Sequence, residues 1–305
     1  MTADLPAFDV TERFVEVADG YTLWAQALGS PDATALLLVM GANSSAVAWP
    51  DEFVGRLAER HRVIRYDHRD TGRSTWAFSD RPYAIRDLAA DAVEVLDAFE
   101  IDRAHVVGMS MGGLLVQLML IDHPARLRSA TLFCTTAIAS AGDDPDAELP
   151  GPDPRLLEMW EHMGEPRDPE AELDWRVEHW RLLNGDQLDF DAATFRQWEQ
   201  HTNAHAGRAD SPFAHALADQ SGLERGDELA DVHVPTLVIE APADPINPPP
   251  HSRHLADTIN DARLVTVPRM GHALNPEILT PLAAEILQHT TTIDTAASRA
   301  DERAP

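Results

Sequence analysis

The sequence predicts an α/β fold, a mostly parallel central sheet flanked by helices and carrying a helical cap insertion. Three observations predict it. Short apolar runs alternate with segments of helical period along residues 35–134. The alternation stops between Ala137 and Ser221, where helical segments follow one another without a strand. It resumes at Thr236. Strands alternating with helices imply parallel pairing through crossover connections.

Taken in order, Phe14 to Val17 and Tyr21 to Leu28 read as short strands around the Asp19-Gly20 turn signal. Ala35 to Met40 is continuously apolar and ends at Gly41, as a strand buried on both faces should. Asp51 to Arg60 is helical in pattern, Arg62 to Tyr66 is a strand, and Asp67 to Ser74 is a polar loop. Ala84 to Phe99 places Leu88, Ala92, Val95 and Leu96 on one helical face. Ala104 to Met109 is a second buried strand, Leu114 to Ile121 a helix apolar on nearly every side, and Arg128 to Cys134 a further strand.

In the insertion, helices are predicted near Pro154 to Met163, Pro169 to Leu183 and Ala192 to His205. Thr236 to Glu240 and Ala262 to Val267 then read as strands, and Pro249 to Thr258 and Ile278 to His289 as helices. The predicted organisation is a core of residues 1–136 and 222–290, a helical cap of 137–221 and a flexible tail of 291–305.

Composition excludes several classes. The 305 residues include 51 acidic and 24 basic side chains, a formal net charge of −27. Every basic residue is arginine. Such a chain repels phosphate backbones and anionic lipid surfaces, so neither nucleic acid nor a membrane is an expected partner. A chain of this size buries roughly 75% of its unfolded surface and needs no metal or disulfide staple. The single cysteine, Cys134, reads as a small buried apolar group. Met1 to Phe14 lacks a basic region followed by an apolar run, and no stretch approaches the roughly 20 apolar residues of a spanning helix. A cytoplasmic location is expected. No cofactor is implied, and oligomeric state is not legible.

The chemistry concentrates after the strand Ala104 to Met109. It runs into Gly108-Met109-Ser110-Met111-Gly112, with Gly113 next and the apolar helix beyond. This is G-x-S-x-G between strand and helix, where the serine hydroxyl projects above the sheet and the glycines admit close backbone packing. A serine nucleophile needs a base, and the base an orienting acid. Asp244 follows the strand Thr236 to Glu240, and His272, preceded by Gly271, follows Ala262 to Val267. Both stand at C-terminal strand ends, where crevices form in open α/β sheets. The oxyanion donors are then the amide of Met111 and one from the loop Met40-Gly41-Ala42-Asn43, with Ala42 preferred over Gly41.

These residues, with Leu36 to Asn43 (LLLVMGAN), Trp49 to Phe53 (WPDEF), Arg65 to Ser74 (RYDHRDTGRS) and Met270 to Leu274 (MGHAL), resemble the α/β-hydrolase superfamily. Within it the chain is similar to the anthracycline (aclacinomycin) methyl esterases, over roughly Leu36 to Thr290. Trp180 to Leu183 and Trp198-Glu199 in the insertion share that resemblance, whereas Ala137 to Arg167 departs from it. The resemblance implies cleavage of a methyl ester on an aromatic polyketide. The residues alone imply a serine hydrolase with a helical cap, and the leading reading of its substrate is a small-molecule ester. A lactonase or proline-iminopeptidase-like hydrolase on the same three residues is the alternative. A non-catalytic ligand-binding protein of this fold is the alternative of another class.

Gly41, Asn43, Trp160, Met163 and Trp180 are candidate substrate contacts. Met159, Trp175 and Trp198 are further apolar residues of the insertion, available for a lid or for its own core. Between Asp143 and Asp191 there are 16 acidic residues and 4 arginines, a net of −12, which reads as a solvated surface or as a charged mouth that disfavours anions. His201 and His205 have a spacing that could bind zinc, but no glutamate motif accompanies them and no metal is expected; they read as exposed. Arg69 and Arg73 read as ties between their loop and the body.

Overall fold

The structure is a computed structural model that describes residues 9–140, 149–209 and 212–301, the side chains of the last two excepted. Its elements are β1 (Val10–Glu16), β2 (Thr22–Leu28), β3 (Ala35–Val39), α1 (Asp51–Ala58), β4 (Arg62–Tyr66), α2 (Ile85–Ala98), β5 (Ala104–Met109), α3 (Met111–Asp122) and β6 (Leu127–Phe133). The chain continues through α4 (Pro154–Glu161), α5 (Pro169–Leu183), α6 (Ala192–Ala206), α7 (Ala214–Leu217), β7 (Thr236–Glu240), α8 (His251–Thr258), β8 (Arg263–Thr266) and α9 (Pro276–Asp301). One eight-stranded sheet has the order β1-β2-β4-β3-β5-β6-β7-β8. The β1–β2 and β2–β4 pairs are antiparallel and all others are parallel.

Period-two alternation divides the strands between two cores. Leu37, Val39 and Val106 face α2, α3 and α8, packing with Leu88, Leu115 and Leu255. Leu36, Leu38 and Val107 face α1 and α9, packing with Phe53, Leu57, Leu282 and Ile286. Strands covered on both faces read as unbroken apolar runs, which is why β3 and β5 were recognisable.

The helices between β6 and β7 have a small core of their own, built on Leu156, Leu182, Leu183 and Phe195. Aspartates start three of them. Asp153, Asp168 and Asp191 accept N–H bonds from Arg155 (2.8 Å), from Glu170 and Ala171 (3.1 and 2.9 Å) and from Ala193 (3.1 Å). Proline at the first helical position of α4 and α5 completes the signal. Part of the insertion's acidity is therefore helix capping.

The polar loop after β4 is drawn into the body by Arg69. Its guanidinium makes two 2.7 Å bonds to the Asp91 carboxylate on α2, and both side chains are fully buried. Arg73 pairs with Glu12 at 3.0 Å near the surface.

The expected flexible tail at 291–305 is helical as far as residue 301, and 302–305 lie outside the described residues. Helix α9 continues to Asp301. Its anchors are polar and so escape a hydrophobic pattern: Thr290 Oγ1 lies 2.9 Å from His61 Nε2, and Asp294 Oδ1 lies 3.2 Å from both His105 Nε2 and Arg128 Nη1.

Two predictions follow from the buried polar groups. Replacing Arg69 with methionine strands the Asp91 carboxylate in the core, and urea denaturation should show a loss of about 3–5 kcal/mol. Burial pushes the pKa of His68 and His289 down to about 4 and that of His215 to about 3. In the unfolded chain these rings titrate near about 6.5. Between those limits the unfolded chain binds more protons, so stability falls as pH drops from about 6.5 towards 4, by up to ~1.4 kcal/mol per pH unit for each ring. Urea midpoints measured from neutral pH to pH 5 should decline accordingly; a flat profile would contradict three neutral buried histidines.

Candidate active site

Ser110 occupies the single residue between β5 and α3, with φ 56° and ψ −124°. A β-carbon-bearing residue is strained there, and the surroundings enforce the bend. A Cβ on Gly112 would sit 2.1 Å from the Val39 carbonyl oxygen, and one on Gly108 would sit 2.4 Å from that of Gly112. Only glycine lets the first turn of α3 press against β3 and β5. Ser110 N–H donates to the Phe133 carbonyl at 3.1 Å, which ties the bend to β6.

Asp244 and His272 meet from the loops after β7 and β8. His272 Nδ1 lies 3.0 Å from both carboxylate oxygens of Asp244, and both residues are buried. Asp244 Oδ1 also accepts from the amides of Ile246 (2.8 Å) and Asn247 (3.1 Å). Burial alone would raise the pKa of this carboxyl; the His272 ring and the two amides more than offset it and hold it below the usual carboxylate range. A carboxylate only accepts, so the imidazole donates from Nδ1 and keeps its lone pair on Nε2. The histidine loop is fixed from the insertion: His272 and Ala273 N–H donate to the Leu183 carbonyl at 2.8 and 3.1 Å. A Cβ on Gly271 would stand 2.2 Å from the Asn184 carbonyl oxygen, so this turn also requires glycine.

Ser110 and His272 line one cavity of about 290 Å3 between the sheet's C-terminal edge and the insertion. Gly41, Ala42 and Asn43 form its floor on the core side, and Trp160, Met163 and Trp180 face them from the insertion. Every expected contact residue therefore lies on this wall. Met111 lies behind it, buried, as the first residue of α3. The amide N–H groups of Ala42 and Met111 have no hydrogen-bond partner among the described residues. The insertion's large apolar residues divide: Trp160, Trp175 and Trp180 reach the cavity, whereas Met159 and Trp198 pack against the small helical core without reaching it.

Sequence reasoning missed a polar set on the roof. His179, Arg176 and Glu199 also line the cavity. Arg176 Nη2 pairs with Glu199 Oε2 at 2.7 Å, and Trp180 Nε1 donates to Glu199 Oε1. Trp160 Nε1 donates to His179 Nε2 at 3.0 Å. Burial, with the neighbouring His272 ring and the Arg176 cation, pushes the pKa of His179 down to about 4. The neutral ring therefore carries its proton on Nδ1, which has no partner among the described residues. Helical spacing was the available signal, because Trp175, His179 and Leu183 recur every four residues along α5 and share one face.

Two expectations change. His205 is not exposed: its Nε2 lies 2.8 Å from Asp67 Oδ2 and its ring meets Trp24 edge-on at 4.4 Å. The end of α6 rests on the loop after β4, a long-range contact invisible to local spacing; His201 is exposed as expected. The acidic surplus of residues 143–191 places no carboxylate on the cavity wall among the described residues; Glu199, the acid that does line it, is paired with Arg176. Cys134 is buried beside Asp244, and burial pushes its thiol well above the ordinary range, so it remains protonated.

A serine on a strained strand–helix turn, a carboxylate and a histidine in that chain order, at the ends of parallel strands, define a hydrolase of the α/β class. The family model for the alpha/beta hydrolase fold matches residues 34–277, and the chain belongs to that family. It is 46% identical over 285 residues to rhodomycin D methylesterase DauP of Streptomyces sp. (strain C5), covering 89% of this chain and 96% of that one. The identity and both coverages are the same for rhodomycin D methylesterase DnrP of Streptomyces peucetius. Among solved structures, a hydrolase from Pseudomonas aeruginosa PA01 superposes with a TM-score of 0.69 at 26% identity, over 92% of this chain and 98% of that one. No helix among the described residues is long and apolar enough to cross a membrane.

Replacing His179 with leucine removes the roof's N–H donor. For an aromatic ester bearing a ring carbonyl, KM should rise about tenfold, the worth of one hydrogen bond. Steady-state kinetics on that ester check it.

Proposed function

We propose that this chain is a serine ester hydrolase that removes the methyl group from a carboxylate ester on an anthracycline-like aromatic polyketide. The Ser110–His272–Asp244 constellation opening into a tryptophan-walled cavity carries this reading. The relatives named for rhodomycin D methylester cleavage support the substrate class.

The chemistry follows from the groups in place. His272 Nε2 takes the proton of Ser110 as Oγ bonds to the ester carbonyl carbon. The carbonyl oxygen becomes an oxyanion, and the free amides of Ala42 and Met111 stabilise it, Met111 with the positive end of α3 behind it. The carbon–methoxy bond breaks, and His272 returns the proton so that methanol leaves. Water then attacks the acyl-enzyme, with His272 as base again, and the carboxylic acid is released. Asp244 stays ionised throughout and holds the ring in its tautomer. The helices of 137–221 act in this scheme as a cap whose aromatic face receives the planar ring system. We also propose a cytoplasmic location, a setting in which a free thiol such as Cys134 persists.

A fluorophosphonate probe should label Ser110 in the wild-type chain. Ser110→Ala should lower kcat/KM for an anthracycline methyl ester by ~10⁴-fold or more. Mass spectrometry of the product should show loss of the methyl group alone. An unlabelled serine together with a fully active Ser110→Ala variant would remove the basis for this function.

A further inference from the structure

The loop after β3, residues 41–46, carries the Ala42 amide, and the insertion grips it at two points. The first grip is His215 on α7, which is buried. Asn43 N–H donates to His215 Nδ1 at 2.8 Å, and His215 N–H donates back to Asn43 Oδ1 at 3.2 Å. His215 Nε2 lies 2.9 Å from the Arg69 carbonyl oxygen. An amide N–H only donates and a carbonyl only accepts, so the ring is neutral and protonated on Nε2. Asn43 itself has φ 54°, a left-handed conformation that directs the preceding peptide.

The second grip runs through Asp67. Its Oδ1 accepts from Ser45 Oγ at 2.6 Å and from Ala46 N–H at 2.8 Å, while Oδ2 meets His205 Nε2 of α6 at 2.8 Å. Asp67 Oδ2 also accepts from Arg73 N–H at 2.8 Å. Two histidines of the insertion thus hold the beginning and end of one short core loop.

We propose that His215 is a positioning residue for the oxyanion site: by accepting the Asn43 N–H it fixes the left-handed turn at Asn43 and thereby aims the Ala42 amide at the reacting carbonyl. This rests on the reading of Ala42 as an oxyanion donor. It makes the insertion part of the catalytic geometry as well as a cover over it, because the hole is complete only when α7 is docked. Misplacing a donor by a fraction of a bond length costs transition-state stabilisation and leaves ground-state binding nearly intact.

The test compares His215→Leu with His215→Asn, whose side-chain oxygen stands where Nδ1 does and restores the acceptor. On a methyl ester substrate, His215→Leu should lower kcat by about 10–100-fold with KM changed less than about threefold. Inhibition by an aryl trifluoromethyl ketone, which forms an oxyanion on Ser110, should weaken by the same factor as kcat. His215→Asn should recover most of both losses. A rise in KM with kcat intact, or equal losses of kcat and ketone affinity in the two variants, would overturn the proposal. If His215→Leu fails to fold, nitrogen NMR of the wild-type ring decides: a neutral ring protonated on Nε2 near pH 6 is expected, and the opposite tautomer or a protonated ring overturns it. Fluorophosphonate labelling separates the two levels. An unlabelled Ser110 defeats the hydrolase reading, whereas a labelled serine with the wrong variant pattern defeats only the role of His215.

Discussion

The backbone at Ser110 is bent to φ 56° and ψ −124°, and the rest of the site is arranged around that bend. It exists because β5 and α3 pack too closely for any side chain at positions 108 and 112. Close packing there gives the serine its projection above the sheet and leaves the Met111 amide at the free N-terminus of α3. The same contact brings α3 against β3, whose following loop supplies Ala42. One steric constraint therefore sets Ser110 and the two proposed oxyanion donors, Met111 and Ala42, in a common frame.

The insertion acts on that frame from both sides. The end of α5 holds the histidine loop through the Leu183 carbonyl, and α6 and α7 hold the loop after β3 through Asp67 and Asn43. These contacts are hydrogen bonds and ion pairs between polar groups withdrawn from water, where geometry is enforced and an unmade bond is costly. The aromatic lining is a separate matter. Trp160, Trp175 and Trp180 supply apolar planes, and His179 and the Arg176–Glu199 pair place a few polar groups among them. Apolar walls with sparse directed donors suit a flat polycyclic ligand that carries ring oxygens.

The charge of the chain has a correspondingly local meaning. Acids of the insertion cap helices, as Asp153, Asp168 and Asp191 do, or pair with nearby arginines, as Glu178 does with Arg181. Acting from outside the cavity, they influence approach through a field screened within about 8 Å at physiological salt. In the proposed reaction, selection at the ester carbonyl falls to the lining, whose Arg176–Glu199 pair is internally neutral.

Much of this was written locally. Unbroken or nearly unbroken apolar runs specified β3, β5, β6 and β7, because strands buried on both faces need no partner to be recognised. The spacing of Gly108, Ser110 and Gly112, and the order in which Asp244 and His272 follow, are chain-level facts that carry their chemistry with them. Polar anchoring was illegible: α9 continues past residue 290 because Thr290 and Asp294 find His61, His105 and Arg128, and His205 is half-buried because Asp67 receives it. The roof histidine and the histidine beneath Asn43 were hidden for the same reason. A buried polar side chain takes its role from the partner that satisfies it, and those partners stand far away in sequence. Residue type and spacing thus pointed to a hydrolase and to the side chains proposed for its chemistry, and folding alone decided which distant polar groups pack around them.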